Sequence, residues 1–211
     1  MSWKAALWVF WVLAAAVLFA HLVENTDTGT ASWDAARASG FAGYLLLWGS
    51  TLSGVAVYMR FRLGGHSLAI PFEAHRILST LALSFVGVHV VALLLDPVVP
   101  FRFVDALLPF TSAYRPFQVG LGVIGLWLLV AVLASTALAA RMPYSVWRRI
   151  HYLSFPCYVL ALVHGIASGS DSSGQFALIV YALTAGLLAG ACVLRVAGRG
   201  WSAAGESPVV A

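Results

Sequence analysis

Four histidines in two apolar stretches carry the chemistry that this chain offers. One stretch reads Pro71-Phe72-Glu73-Ala74-His75-Arg76 and runs apolar to His89; the other reads Arg148-Arg149-Ile150-His151 and runs apolar to His164. On helices rising 1.5 Å per residue, the first pair lies about 21 Å apart and the second about 20 Å. If the two helices lie side by side and run the same way, the imidazoles form two levels, His75 with His151 and His89 with His164. Each level then offers two neutral ring nitrogens to opposite faces of a haem iron, for which His is a common axial ligand. The angular match is imperfect. At about 100° per residue the first pair differs by roughly 40° around its helix and the second by roughly 140°. Tilt, side-chain swing and a bend at Pro156, between His151 and His164, have to absorb the larger offset.

The plainer reading is four ordinary buried histidines. Against it, four of the chain's six histidines share two apolar stretches at matched depths, and ionisable groups inside a membrane span are rare and usually functional. Chelation of zinc or copper is a poorer fit. The levels are too far apart to share one ion, and two neutral ligands seldom suffice.

These residues need membrane spans to position them. The 211 residues are 61% hydrophobic and only 9% charged, with a mean hydropathy of +0.91. That composition excludes a soluble domain and points to a polytopic membrane protein. The formal charge of +4 needs no nucleic acid, because topology gathers basic residues on one side of a bilayer. Cys157 and Cys192 fall in apolar stretches and read as small buried hydrophobes.

The hydropathy pattern predicts an all-α, six-helix membrane bundle, with spans near 4–22, 40–59, 72–95, 117–140, 146–168 and 175–196. Lys4 before an apolar run also suits a secretory signal. His21 and Glu24 follow with no small-x-small cleavage site before them, so the run reads as a retained first span. Lys4, Arg60, Arg62, Arg76, Arg141, Arg148, Arg149, Arg195 and Arg199 fall on one set of span ends, and Arg37, Arg102 and Arg115 on the other. This bias puts both termini in the cytoplasm. Spans three and five then run in parallel from inside to outside, independently of the histidine spacing.

Arginines at each end are available to haem propionates: Arg76, Arg148 and Arg149 inside, Arg102 and Arg115 outside. For any one of them, a topology signal or a lipid-headgroup contact is the simpler role. Gly120, Gly122 and Gly125, and the row Ala182, Gly186 and Gly190, read as close-packing positions. Gly54 and Gly87 could leave room for a porphyrin. Phe85, Phe155 and Tyr158 fall between the two histidine levels. His21 and His66 have no partner at matched depth and are excluded as ligands. Residues 200–211 read as a short disordered tail.

The pairs His75-x13-His89 and His151-x12-His164 resemble the ferric reductase-like transmembrane domain. That family includes ferric reductases, NADPH oxidases and the haem-binding membrane subunit of the bacterial periplasmic methionine sulfoxide reductase system. Arg115-Pro116, Ser135-Thr136 and Trp147-Arg148-Arg149-Ile150-His151 are further echoes, and the resemblance covers roughly residues 40 to 197. It implies a six-helix bundle with two haem b groups, an inner one on His75 and His151 and an outer one on His89 and His164. The oxidases and eukaryotic reductases continue into a flavin- and NAD(P)H-binding domain, whereas this sequence ends soon after its last span. The resemblance therefore implies an electron-transfer subunit of a bacterial cytoplasmic membrane. Its partners would be the lipid bilayer, a separate flavoprotein or quinol donor, and an outer-side acceptor. A membrane subunit that anchors a separate periplasmic oxidoreductase, a haem-transport protein and a non-redox scaffold are the alternatives.

Overall fold

The computed structural model describes residues 31–59, 69–97, 99–169 and 174–204, which among themselves form helices joined by turns, without a strand. In chain order these are α1 (Ala31–Met59), α2 (Ala69–Leu94), a short α3 (Phe103–Leu107), α4 (Pro116–Ala137), α5 (Tyr144–His151), α6 (Ser154–Ser168) and α7 (Gln175–Ala204). A 3-10 turn at Ala139–Arg141 leads from α4 into α5. Among the described residues, five segments are long and apolar enough to cross a membrane: Ala31–Val57, Phe72–Leu94, Pro116–Ala137, Tyr144–Ser168 and Gln175–Val196. The span expected near 4–22 lies outside the described residues, as do His21, His66 and the basic residues Lys4, Arg60 and Arg62.

Two boundaries differ from expectation. α1 is already helical at Ala31, where a loop reaching to residue 40 was expected. Asp34 and Arg37 made this stretch look like a loop, yet it is rich in alanine, the strongest helix former. Its charges pair along the helix surface, Arg37 Nη1 lying 3.3 Å from Asp34 Oδ1. Its other face is buried at Ala36 against Ala92 of α2, and Ser32 Oγ donates to Asp96 at 2.8 Å. At the far end, α7 continues to Ala204, into the stretch read as a tail.

α1 and α2 form one antiparallel pair and α4 and α6 another, with α1 also packing on α6 and α7. Large apolar side chains on the outer faces, such as Val159, Leu183, Leu187 and Leu194, are exposed. A bilayer is the solvent that suits such a surface. Buried hydroxyls close on their own helix backbone, as Thr51 does on the Leu47 carbonyl at 2.8 Å. Between α1, α6 and α7 a polar knot sits inside an aromatic cluster. The Tyr44 hydroxyl meets those of Tyr158 and Thr184, and Trp48 Nε1 donates to the Thr184 carbonyl at 2.9 Å. Of the three aromatics expected between the histidine levels, Phe155 and Tyr158 belong to this cluster, whereas Phe85 is exposed. Ala182, Gly186 and Gly190 lie on an exposed face of α7, and a Cβ at either glycine would meet no described atom within 4 Å.

The bend expected at Pro156 is a break between α5 and α6. Proline has no N–H to donate and its ring crowds the carbonyl four residues back. The backbone tightens there, Leu153 N donating to Ile150 O at 2.9 Å and Phe155 N to Tyr152 O at 3.2 Å, each spanning three residues instead of four. Such a step turns more per residue than an α-helix, which is the sense needed to re-phase His151 against His164.

α3 was not expected from the sequence. Its start is built by Arg102 and Asp105. Arg102 Nη2 and Nε donate to the Asp105 carboxylate at 2.9 and 3.1 Å, and the Arg102 backbone N–H donates to it at 2.9 Å. The bonded guanidinium holds the Asp105 carboxyl at about 2, against an ordinary 3.8. Because the folded value is the lower one, this stabilisation is fully present above the ordinary carboxylate range. It is lost only as pH falls through the window between the two values. Hydrogen exchange over residues 102–111, corrected for intrinsic rate, should therefore be unchanged between pH 7 and pH 5. Asp105→Asn should speed it at both.

Candidate functional site

The structure brings the four histidines together in two pairs across α2 and the α5–α6 span. The ring centroids of His75 and His151 lie 5.8 Å apart, and those of His89 and His164 lie 6.3 Å apart. Planes within each pair cross steeply, at 67° and 81°. Both members of each pair sit at corresponding depths, so α2 and α6 run in the same direction.

Three of the four rings are oriented by one repeated device. His75 Nδ1 bonds the Ser50 carbonyl at 2.8 Å, His89 Nδ1 the Ala36 carbonyl at 2.7 Å, and His164 Nδ1 the Gln118 carbonyl at 2.8 Å. A carbonyl only accepts, so in the neutral imidazole each Nδ1 carries the hydrogen and each Nε2 keeps a bare lone pair. Four residues beyond each carbonyl, one helical turn on, stands a glycine. A Cβ at Gly54 would lie 3.1 Å from His75 Nδ1, one at Gly40 2.8 Å from His89 Nδ1, and one at Gly122 2.7 Å from the His164 ring. The glycine admits the ring and the carbonyl fixes its rotation. Ser50 Oγ and Ser168 Oγ add longer contacts to His75 and His164 Nδ1, each at 3.3 Å.

His151 departs from this pattern. Its Nδ1 is buried with no hydrogen-bond partner. Its ring instead stacks on Trp147, centroids 4.9 Å apart and planes 25° from parallel. Val132 and Thr136 of α4 occupy the corresponding carbonyl and glycine positions. Ser135 and Thr136 hydroxyls already occupy the Val132 carbonyl, at 2.8 and 2.9 Å.

A cavity of about 550 Å³ opens between α1, α2, α4, α6 and α7 at the level of His89 and His164. Both histidines line it, with Gly40, Gly122, Leu47, Leu129 and Cys157 among its mostly apolar walls. Arg37, Trp33 and Tyr114 stand on the wall that leads to the loop end, the two aromatic rings in edge contact at 5.7 Å. Its size falls within the roughly 300–1,000 Å³ of small-molecule and cofactor sites.

The arginines singled out in the sequence are placed elsewhere. Arg102 is committed to Asp105 and Arg76 to Glu73, the latter at 2.8 Å. Arg115 donates to the Ala167 carbonyl at 2.7 Å from a left-handed backbone, φ 42°. Arg148 donates to the Tyr152 hydroxyl at 2.9 Å, and Arg149 is exposed. None of these five lines the cavity; Arg37 does. Gly54 backs His75, as just described, whereas Gly87 is exposed with nothing near its missing Cβ. Cys157 and Cys192 are unpaired thiols. Cys157 is buried and donates to the Gly125 carbonyl at 3.3 Å. Among the described residues no three His, Cys, Asp or Glu side chains converge.

A protein-family model described as "Ferric reductase like transmembrane component" matches residues 39–162. It takes in His75, His89 and His151 and stops just short of His164. No curated protein and no solved structure matches the chain. The matched segment is more than half of the 211 residues, and with the apolar helices it makes this an integral membrane protein that belongs to the ferric reductase-like transmembrane component family.

Proposed function

We propose that the protein is a transmembrane b-type cytochrome that carries electrons across the bilayer between two bis-histidine haem sites, the inner on His75 and His151 and the outer on His89 and His164. Family membership supports a membrane electron-transfer component; the paired rings carry the finer reading. A metal–imidazole bond is about 2.0 Å and the bonding nitrogen lies about 1.1 Å from the ring centre, so two imidazoles facing each other across one iron would have centroids roughly 6.2 Å apart. The observed 5.8 and 6.3 Å match that gap. Ordinary core histidines have no reason to meet twice at this separation with both Nε2 atoms left unbonded.

When bound, haem supplies reversible one-electron chemistry at iron. The chain's own residues hold and tune it. Carbonyl bonds at Nδ1 of His75, His89 and His164 lock the tautomer and raise the basicity of Nε2. The mostly apolar cavity walls would hold the group's apolar faces at the outer site, and Arg37, which stands on the same wall, would be available to a propionate. The basic span ends support cytoplasmic termini in a bacterial inner membrane. The donor is a separate protein, such as a flavoprotein, or a quinol, and the acceptor lies on the outer side.

Protein purified in detergent with its native haem complement should give about two haem b per chain by pyridine haemochrome, with low-spin six-coordinate spectra. A ratio near zero would remove the cytochrome reading, and a ratio near one would remove one level.

A further inference from the structure

We propose that Tyr144 and Trp147 of α5 form the entry through which electrons reach the inner pair, and that the basic rim around them docks an acidic single-electron carrier protein. The inference rests on the cytochrome reading and names the donor side of the same site. His151 is the only one of the four imidazoles backed by a ring rather than by a glycine and a carbonyl. Trp147 lies flat on it, and Tyr144 meets Trp147 in turn, centroids 5.5 Å apart. Tyr144 is 67% exposed. Three aromatic rings at i, i+3 and i+7 on one helix face thus run in unbroken contact from the surface to a histidine of the inner pair. Interfacial belts put Tyr and Trp at this depth in many membrane proteins, but a belt does not require ring-on-ring contact with a half-buried histidine. Trp147 Nε1 reaches Thr136 Oγ1 at 3.5 Å, which ties the indole to α4.

The segment that carries this stack bears charge of one sign, and the exposed Glu73 at the start of α2, near His75, is bonded to Arg76. Between Asp105 and Asp171 the sequence contains no Asp or Glu, while Arg141, Arg148 and Arg149 flank Tyr144 and Trp147, with Arg141 and Arg149 exposed. Arg148 and Arg195 both donate to the Tyr152 hydroxyl, which gathers a further cation, Arg195, at the C-terminal end of α5. Such a face attracts and orients a partner whose docking surface is acidic. The step it serves balances simply. The reduced carrier gives up one electron, the inner site gains it, and no bond forms or breaks. The carrier leaves oxidised by one electron.

The full-length chain in nanodiscs of neutral lipid, with haem content measured on each sample, is mixed in a stopped-flow instrument with a reduced plant-type [2Fe–2S] ferredoxin as acidic probe. Photoreduced riboflavin, a small molecule with no protein docking surface, serves as the control reductant. Arg141→Glu/Ser145→Glu should slow reduction by ferredoxin about tenfold at low salt and flatten its dependence on ionic strength, with reduction by riboflavin and haem content unchanged. Trp147→Leu should slow the limiting rate several-fold, and Trp147→Phe should restore it. Wild-type protein that carries haem but is not reduced by ferredoxin, or is reduced without salt dependence, would overturn the docking. So would a charge effect seen only in discs containing anionic lipid, which would assign the patch to headgroups. Equal rates for Trp147→Leu and wild type would overturn the ring path. Wild-type protein without haem would instead bring down the cytochrome reading itself.

Discussion

His89→Ala and His164→Ala are each expected to abolish the same haem and to leave the other in place, halving the haem content. His75→Ala and His151→Ala should remove the opposite one. The expectation follows from the geometry. Each imidazole faces one partner across a single gap, and for His75, His89 and His164 the carbonyl that orients the ring belongs to a third helix that single truncations do not touch. The electron traffic should fall further than the haem content. In sealed vesicles with reductant inside and an impermeant acceptor outside, acceptor reduction by any of the four variants should drop by more than about 100-fold. That exceeds the 10–100-fold typical of losing an outer-shell partner alone, because a relay with one station missing does not conduct at half rate. If His75→Ala and His151→Ala deplete different haems, the pairing is wrong. If wild-type protein with both haems moves no electrons, the carrier function is wrong.

The second large effect is expected where no side chain exists at all. Gly122→Val and Gly40→Val should each eliminate the outer haem, although neither residue is a ligand. Even the first added carbon would sit 2.7 Å from the His164 ring or 2.8 Å from His89 Nδ1, closer than van der Waals contact allows. The ring must swing away and surrender its carbonyl bond, and the two Nε2 atoms no longer face each other. Gly87→Ala is the matched control on the exposed face of α2. There the added methyl should leave the spectrum intact and stabilise the helix by roughly 0.5–1 kcal/mol. Haem spectra and thermal melts of the three variants make the comparison. An intact outer haem in Gly122→Val would show that the ring has more freedom than its contacts allow.

The pairing of the histidines was legible in the sequence because depth along a helix is a simple product of residue count and rise. The device that orients them was half legible. Gly40 and Gly54 repeat the fourteen-residue interval of His75 and His89, as do Ala36 and Ser50, but an interval shared by two helices means little until they are known to be antiparallel neighbours. Arg37 escaped because Asp34 and Arg37 made residues 31–39 look like a loop. Once α1 starts at Ala31, Arg37 falls one turn before Gly40 and on the cavity wall. Arg102 and Arg115 were chosen by position relative to the membrane alone. Hydropathy carries no information about Asp105 or the Ala167 carbonyl, the partners that engage them. The orphaned Nδ1 of His151 was invisible for the same reason, since hydropathy does not show that its ring stacks on Trp147 with no carbonyl at Nδ1.

The carbonyl bonds also bear on how the protein is assembled. Those of His75 and His89 come from α1, their hairpin partner, and that of His164 comes from α4, the hairpin partner of α6. No imidazole draws its orienting bond from the other hairpin. Each hairpin can thus leave the insertion machinery with its own ligands already aimed, before it has met the other, in keeping with membrane helices that first insert and then associate. The bound group would then act as a rivet between two finished halves.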